Sequence, residues 1–198
     1  MLAQSERSIY LASRSPRRQE LLGQIGIKFE VMQLNVDETA LDGESPRAYV
    51  ERLARAKAEA GWRRVEKDKL PHAPVLGADT TVAVDGPILG KPADGKEAAE
   101  MLAALSGRRH EVLTAVAVKN ASRLESAVSV SEVRFKTLTK EEIARYVATG
   151  ECEDKAGAYG IQGHAARFVA ELHGSFSGVA GLPLFETAQL LDRMGYSA

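Results

Sequence analysis

The chain has 198 residues, with 26 lysines and arginines against 27 aspartates and glutamates and a net charge of -1. With 44% hydrophobic and 27% charged residues it has the balance of an ordinary globular protein with enough length for a real core. A near-neutral chain without a block of like charge lacks the basic field needed for bulk nucleic-acid or membrane-surface binding, although a few cations can still hold a small anion.

The opening "MLAQSERSIYLAS" carries no apolar leader, and no stretch approaches the roughly 20 apolar residues of a membrane span. "SIYLAS" (8–13) reads as a short buried strand. In "LASRSPRRQELL", Ser15 is placed to cap a helix with Pro16 in its first position; Leu21, Leu22 and Ile25 give that helix an apolar face, and Gly26 ends it. "KFEVMQL" (28–34) is strand-like, and "NVDETALDGE" is an acidic connection. A long helix follows over 45–65, again opened by Ser-Pro. "VLGADTTVAV" (75–84) is an apolar strand closed by an Asp85-Gly86 turn, and 95–107 is a helix. Strands over 110–118 and 126–137 flank the polar turn "KNASR" as a hairpin. A helix over 139–150 has Thr139 and Glu142 in capping-box spacing. Cys152, the single cysteine, has no partner for an internal disulfide and fits a reducing compartment, so the expected location is the cytoplasm. A glycine-bearing loop, the strand "RFVAEL", the loop "HGSFSGVAGLP" and a last helix complete the chain. Strands alternating with helices and hairpins predict one α/β (α+β) domain over 1–198, a mixed twisted sheet flanked by helices.

Function is best sought where the local pattern breaks. Arg17 and Arg18 stand at the positive end of a helix, where the macrodipole favours an anion over a cation. Lys57 lies on the edge of an apolar helix face, which leaves two readings open: a lysine snorkelling to water, or one aimed into a cleft. Asp79 interrupts a buried strand, where a charge is costly unless paired or metal-bound. It is either a strand-end carboxylate bonded to backbone, or a metal ligand or general base; in a regular strand Thr80 points the opposite way. Lys91 is fixed between Gly90 and Pro92, and Glu38 sits beside Asp37 in the acidic connection, where a solvated loop is the commoner explanation. Gly157, Gly160 and Gly163 would let the 151–165 loop approach a ligand, and Gln162 offers both a donor and an acceptor. His72, His110, His164 and His173 are scattered and read as structural or exposed. Together, cations without a local partner (Arg17, Arg18, Lys57, Lys91) and two carboxylates (Glu38, Asp79) suit a polyphosphate with a hard divalent ion. Without the ligand such cations would repel one another, so their removal is expected to leave stability unharmed. No P-loop, GxGxxG, HExxH, GxSxG or zinc spacing is present.

Five segments, "LASRSPRRQELL", "GADTTVAVDGPILGKP", "LSGRRHEVLTAVAV", "GECEDKAGAYGIQG" and "GVAGLP", together resemble the Maf family of nucleoside triphosphate pyrophosphatases over about residues 8–194. The resemblance implies a fold similar to inosine triphosphate pyrophosphatases, with two lobes around a cleft. It also implies a divalent metal (Mg or Mn) and hydrolysis of a nucleoside triphosphate to the monophosphate and pyrophosphate. "SPRR" is similar to the dTTP/UTP branch, because the 7-methyl-GTP branch has a tryptophan where Arg17 stands. By resemblance Asp79 is the proton acceptor, and Arg17, Thr80 and Gln162 carry specificity. Ser13, Arg18, Glu38, Lys57 and Lys91 line the phosphate and metal site, with Glu38 and Asp79 as metal ligands. Two alternatives stay open: the same chemistry on 7-methyl-GTP or a purine nucleotide, and a non-catalytic nucleotide-binding regulator of cell division. A homodimer also stays open.

Overall fold

The computed structural model describes residues 8–196; the leader reading of residues 1–7 lies outside them. One seven-stranded sheet organises the chain, in the order β2-β1-β3-β5-β6-β7 with β4 against β3. β1 (Ser8–Leu11) runs parallel to β2 (Lys28–Val31) and to β3 (Val75–Ala83). β3 is antiparallel to β5 (Arg109–Lys119), and β6 (Leu124–Phe135) and β7 (Val169–His173) continue antiparallel. The sheet is therefore mixed, as the alternation of helices and hairpins predicts.

Local chemistry explains the connections. The expected hairpin between β5 and β6 turns on Asn120, whose side-chain oxygen accepts from the backbone N–H groups of Ser122 and Arg123 at 3.0 Å each. Asp85 and Gly86 both take positive φ, and the chain returns as the two-residue β4 (Ile88–Leu89), too short to show a period. Ser45 caps α2 (Pro46–Lys67), Asp94 caps α3 (Gly95–Leu105), and α4 (Lys140–Val147) carries the complete Thr139–Glu142 capping box. α1 (Pro16–Gln24) departs from expectation: Ser15 makes no side-chain cap bond. A short helix, α5 (Phe176–Ala180), sits where a loop was expected, capped by Ser175 onto Gly178 N–H at 3.0 Å. The first two residues of "RFVAEL" close a 3-10 turn before β7 begins.

The sheet is covered on both faces. Leu21 and Leu22 of α1, Leu102 of α3, Ile143 of α4 and Leu190 of α6 (Leu184–Arg193) share the larger core. Helix α2 covers the other face through small residues, with Ala54 and Ala58 against Ala115 and Ala117 of β5. Gly77 of β3 makes that approach possible: a Cβ there would lie 2.4 Å from the Ala54 carbonyl oxygen and 2.7 Å from Ala58 N. Among the described residues no helix is long and apolar enough to cross a membrane.

Candidate active site

A cavity of about 770 Å³ opens where α1, α2, β3 and the 153–161 loop meet. Asp79, in the middle of β3, faces α2 and is only 7% exposed. Its Oδ1 accepts from Lys57 Nζ at 2.7 Å, so the charge in the buried strand is compensated by a lysine that points into the cavity. The same ammonium lies 2.7 Å from Glu38 Oε1, and Lys91 Nζ donates to Glu38 Oε2 at 3.2 Å. Burial pushes the Glu38 carboxyl up, but the bonds and charges of Lys57 and Lys91 outweigh it and hold it below its ordinary value. The acidic connection is not a free loop. Tyr49 OH donates to the Glu38 carbonyl at 2.9 Å, and Arg52 grips both Glu44 oxygens at 2.7 Å, which ties the segment to α2. Lys57 and Lys91 thus have the ionic partners that the sequence did not reveal.

Thr80 points to the opposite side of the sheet, as regular alternation requires. Its Oγ1 accepts from Arg18 Nη2 at 3.1 Å and is joined to Thr114 Oγ1 at 3.0 Å. Arg18 is half-buried and bonded inward rather than displayed at the helix tip. Its Nε donates to the Gly181 carbonyl at 2.7 Å and its Nη1 to Ser13 Oγ at 3.3 Å. One guanidinium therefore clips α1, β3 and the loop after α5 together, and burial lowers its pKa from the ordinary value. Ser13, Arg17, Arg18, Thr80 and Lys91 all line the cavity that holds Asp79.

The glycine-bearing loop behaves differently from expectation. Gly157 packs on the sheet, where a Cβ would lie 3.0 Å from Val82, and its N–H donates to the Gly90 carbonyl at 3.0 Å. Gly163 packs on Glu151; only Gly160 of the three lines the cavity. Gln162 is exposed and lies outside that lining. The sequence reading missed Lys155, half-buried in the wall beside Arg17; its lysine-in-loop setting gave no periodic signal. Also missed was a buried pair, His110 Nε2 and Tyr159 OH at 2.8 Å, with Tyr159 in the cavity wall.

Carboxylates, cations and an apolar flank in one cavity can hold an anionic ligand and poise an oxygen nucleophile. Comparison with known proteins agrees. A family profile described as "Maf-like protein" matches residues 8–194. The chain is 58% identical over 197 residues to a dTTP/UTP pyrophosphatase of Aromatoleum aromaticum, covering 95% of this chain and 96% of that one. It is 54% identical over 196 residues to one of Dechloromonas aromatica, with 95% and 98% covered. With one of Chromobacterium violaceum it shares 51% over 195 residues, 98% of each chain. A match that runs through every element around the cavity, from β1 to α6, leaves no part of the site outside it, and the chain belongs to the Maf family.

Proposed function

We infer that the chain hydrolyses dTTP and UTP to the monophosphate and pyrophosphate. The observation that carries this reading is Asp79, a nearly buried carboxylate facing the cavity, flanked by Lys57, Glu38 and Lys91. The names of the relatives supply the substrates.

Asp79 takes the proton from a water that attacks the α-phosphorus, and the departing pyrophosphate carries the bond electrons. Lys57 and Lys91 offset the charge of the phosphates. Arg18 holds the wall built from Ser13, Thr80 and Gly181, so the cavity keeps its shape. Arg17 and Thr80, both in the cavity lining, would meet the base; Gln162, exposed and outside that lining, would reach it only if its side chain turned inward.

The donor set fits a hard divalent ion such as Mg or Mn. Glu38 and Asp79 already converge on one cationic point, at 2.7 Å each from Lys57 Nζ. Among the described residues no group of three or more His, Cys, Asp or Glu could hold a metal, so the remaining positions would fall to phosphate oxygens and water. When bound, the ion would neutralise phosphate charge and lower the pKa of a bound water.

Pyrophosphate release from dTTP, UTP, CTP, 7-methyl-GTP and purine triphosphates, with Mg²⁺, with Mn²⁺ and with excess EDTA, tests the reading. Turnover should be highest for dTTP and UTP and vanish in EDTA. Orthophosphate as the first product rejects α–β cleavage.

A further inference from the structure

Two cations meet in the cavity wall. Lys155 and Arg17 approach Gly160 from different elements: a Cβ on Gly160 would lie 2.9 Å from Lys155 Cε and 3.1 Å from Arg17 Nη1. Neither forms an ion pair with another described residue. Lys155 Nζ has a single long bond, 3.4 Å to the Glu153 carbonyl. Glu151 is turned to other partners: Tyr146 OH donates to it at 3.0 Å and His164 N–H at 2.7 Å. Burial lowers the Lys155 pKa and the charge of Arg17 lowers it further, and the nearby Glu151 and Asp154 offset this only in part. The backbone holds this arrangement with two non-glycine residues in the left-handed region, Asp154 at φ 58 and Ala158 at φ 60. A half-buried like-charge pair held by a strained loop is unfavourable without a ligand that accepts hydrogen bonds.

Its surroundings say which part of the ligand. The loop that carries Lys155 also supplies Tyr159 and Ile161, both buried in the cavity wall, while the carboxylate–lysine cluster comes from β3, α2 and the acidic connection. Lysine and arginine are donors only. Uracil and thymine present acceptor oxygens at C2 and C4, whereas cytosine presents an amino donor at C4. We propose that Lys155 and Arg17 together form a donor-only rim that receives the C4 carbonyl of the pyrimidine, making Lys155 a further specificity residue that favours uracil and thymine over cytosine. This rests on the chain being a dTTP/UTP pyrophosphatase.

The test compares kcat/KM for UTP, dTTP and CTP in the wild type and in Lys155→Met, Lys155→Arg and Gly160→Ala, with melting temperatures alongside. Met keeps the apolar stem and removes the donors. The Gly160→Ala methyl pushes two flexible side-chain ends apart without meeting backbone. Lys155→Met should lower the UTP:CTP ratio about tenfold or more, through loss on UTP with CTP nearly unchanged. Lys155→Arg should restore most of the ratio, and Gly160→Ala should lower it in part. Equal losses on UTP and CTP would assign the pair to phosphate and overturn the proposal; so would an unchanged ratio. If Lys155→Met fails to fold, Gly160→Ala decides by the same ratio. A wild type that releases no pyrophosphate from UTP or dTTP overturns the substrate reading and this inference together; an active wild type with an unmoved ratio overturns this inference alone.

Discussion

Lys57 Nζ sits 2.7 Å from Asp79 Oδ1 and 2.7 Å from Glu38 Oε1, so a single ammonium holds these two carboxylates together. The Lys57 and Asp79 side chains are only 13% and 10% exposed. Removing one member of such a pair strands the other's charge away from water. For Lys57 the ion pairs therefore argue against the sequence-based expectation that lysine removal leaves stability unharmed. Lys57→Met should destabilise by about 1–3 kcal/mol. Lys91, 56% exposed and paired only with Glu38, should cost less than about 0.5 kcal/mol as Lys91→Ala. Denaturant midpoints distinguish them; equal stability of the two variants would mean the Lys57 bridge carries no weight.

Asp79→Asn keeps the size of the side chain and a hydrogen-bonding oxygen for Lys57, whose charge Glu38 still balances. The fold should survive. An amide does not take a proton from water, so pyrophosphate release should fall about 10²–10⁴-fold. Turnover near that of the wild type, in a variant with a normal melting curve, would remove Asp79 from the reaction.

Much of this was legible in the sequence, and the parts that were not share a physical cause. The apolar runs of β3 and β5 and the capping residues of α2 and α4 signal their elements locally, because a cap or a strand period is written within a few residues. Asp79 stood out because a charge in an apolar run needs a partner. Its partner could not be named, since Lys57 lies 22 residues away and meets it only through the crossing of α2 over β3. Arg18 reaches Gly181 across 163 residues, so its apparent freedom at a helix tip was a local illusion. Lys155 and Arg17 likewise become neighbours only by folding. Long-range pairs leave no period and no spacing.

His110 should make stability pH-dependent. Burial lowers its pKa from 6.5 to about 4, so the folded protein keeps the ring neutral. The unfolded chain takes up its proton first as pH falls, and stability is lost progressively from pH 6.5 down to about 4. The full loss for this one group is about 3 kcal/mol. His110→Gln keeps a partner for Tyr159 OH and cannot titrate. Its unfolding free energy should be flatter across that window, while above pH 7 the wild type keeps the whole contribution. Parallel curves for the two proteins would show that the acid sensitivity resides elsewhere.

Gly77 links the packing of the fold to the chemistry of the site. Two residues before Asp79, it lets α2 lie directly on β3, with Ala54 O at 2.4 Å and Ala58 N at 2.7 Å from where a Cβ would be. Both are backbone atoms, so no side chain can swing aside. Lys57 Cβ is itself 3.1 Å from that point. In Gly77→Ala the helix must lift from the sheet, and its lysine must withdraw from Asp79 with it. The expected destabilisation is about 1–3 kcal/mol, the usual range for overpacking. Activity should fall even in the fraction that remains folded, because the ion pair beside the proton acceptor is displaced. Gly23→Ala is the control: no atom lies within 4 Å of a Cβ there, the residue is within α1, and alanine should hold or raise stability by up to about 1 kcal/mol. Urea midpoints with kcat on UTP read both effects. A Gly77→Ala protein as stable and as active as Gly23→Ala would show that α2 does not need this close approach to deliver Lys57.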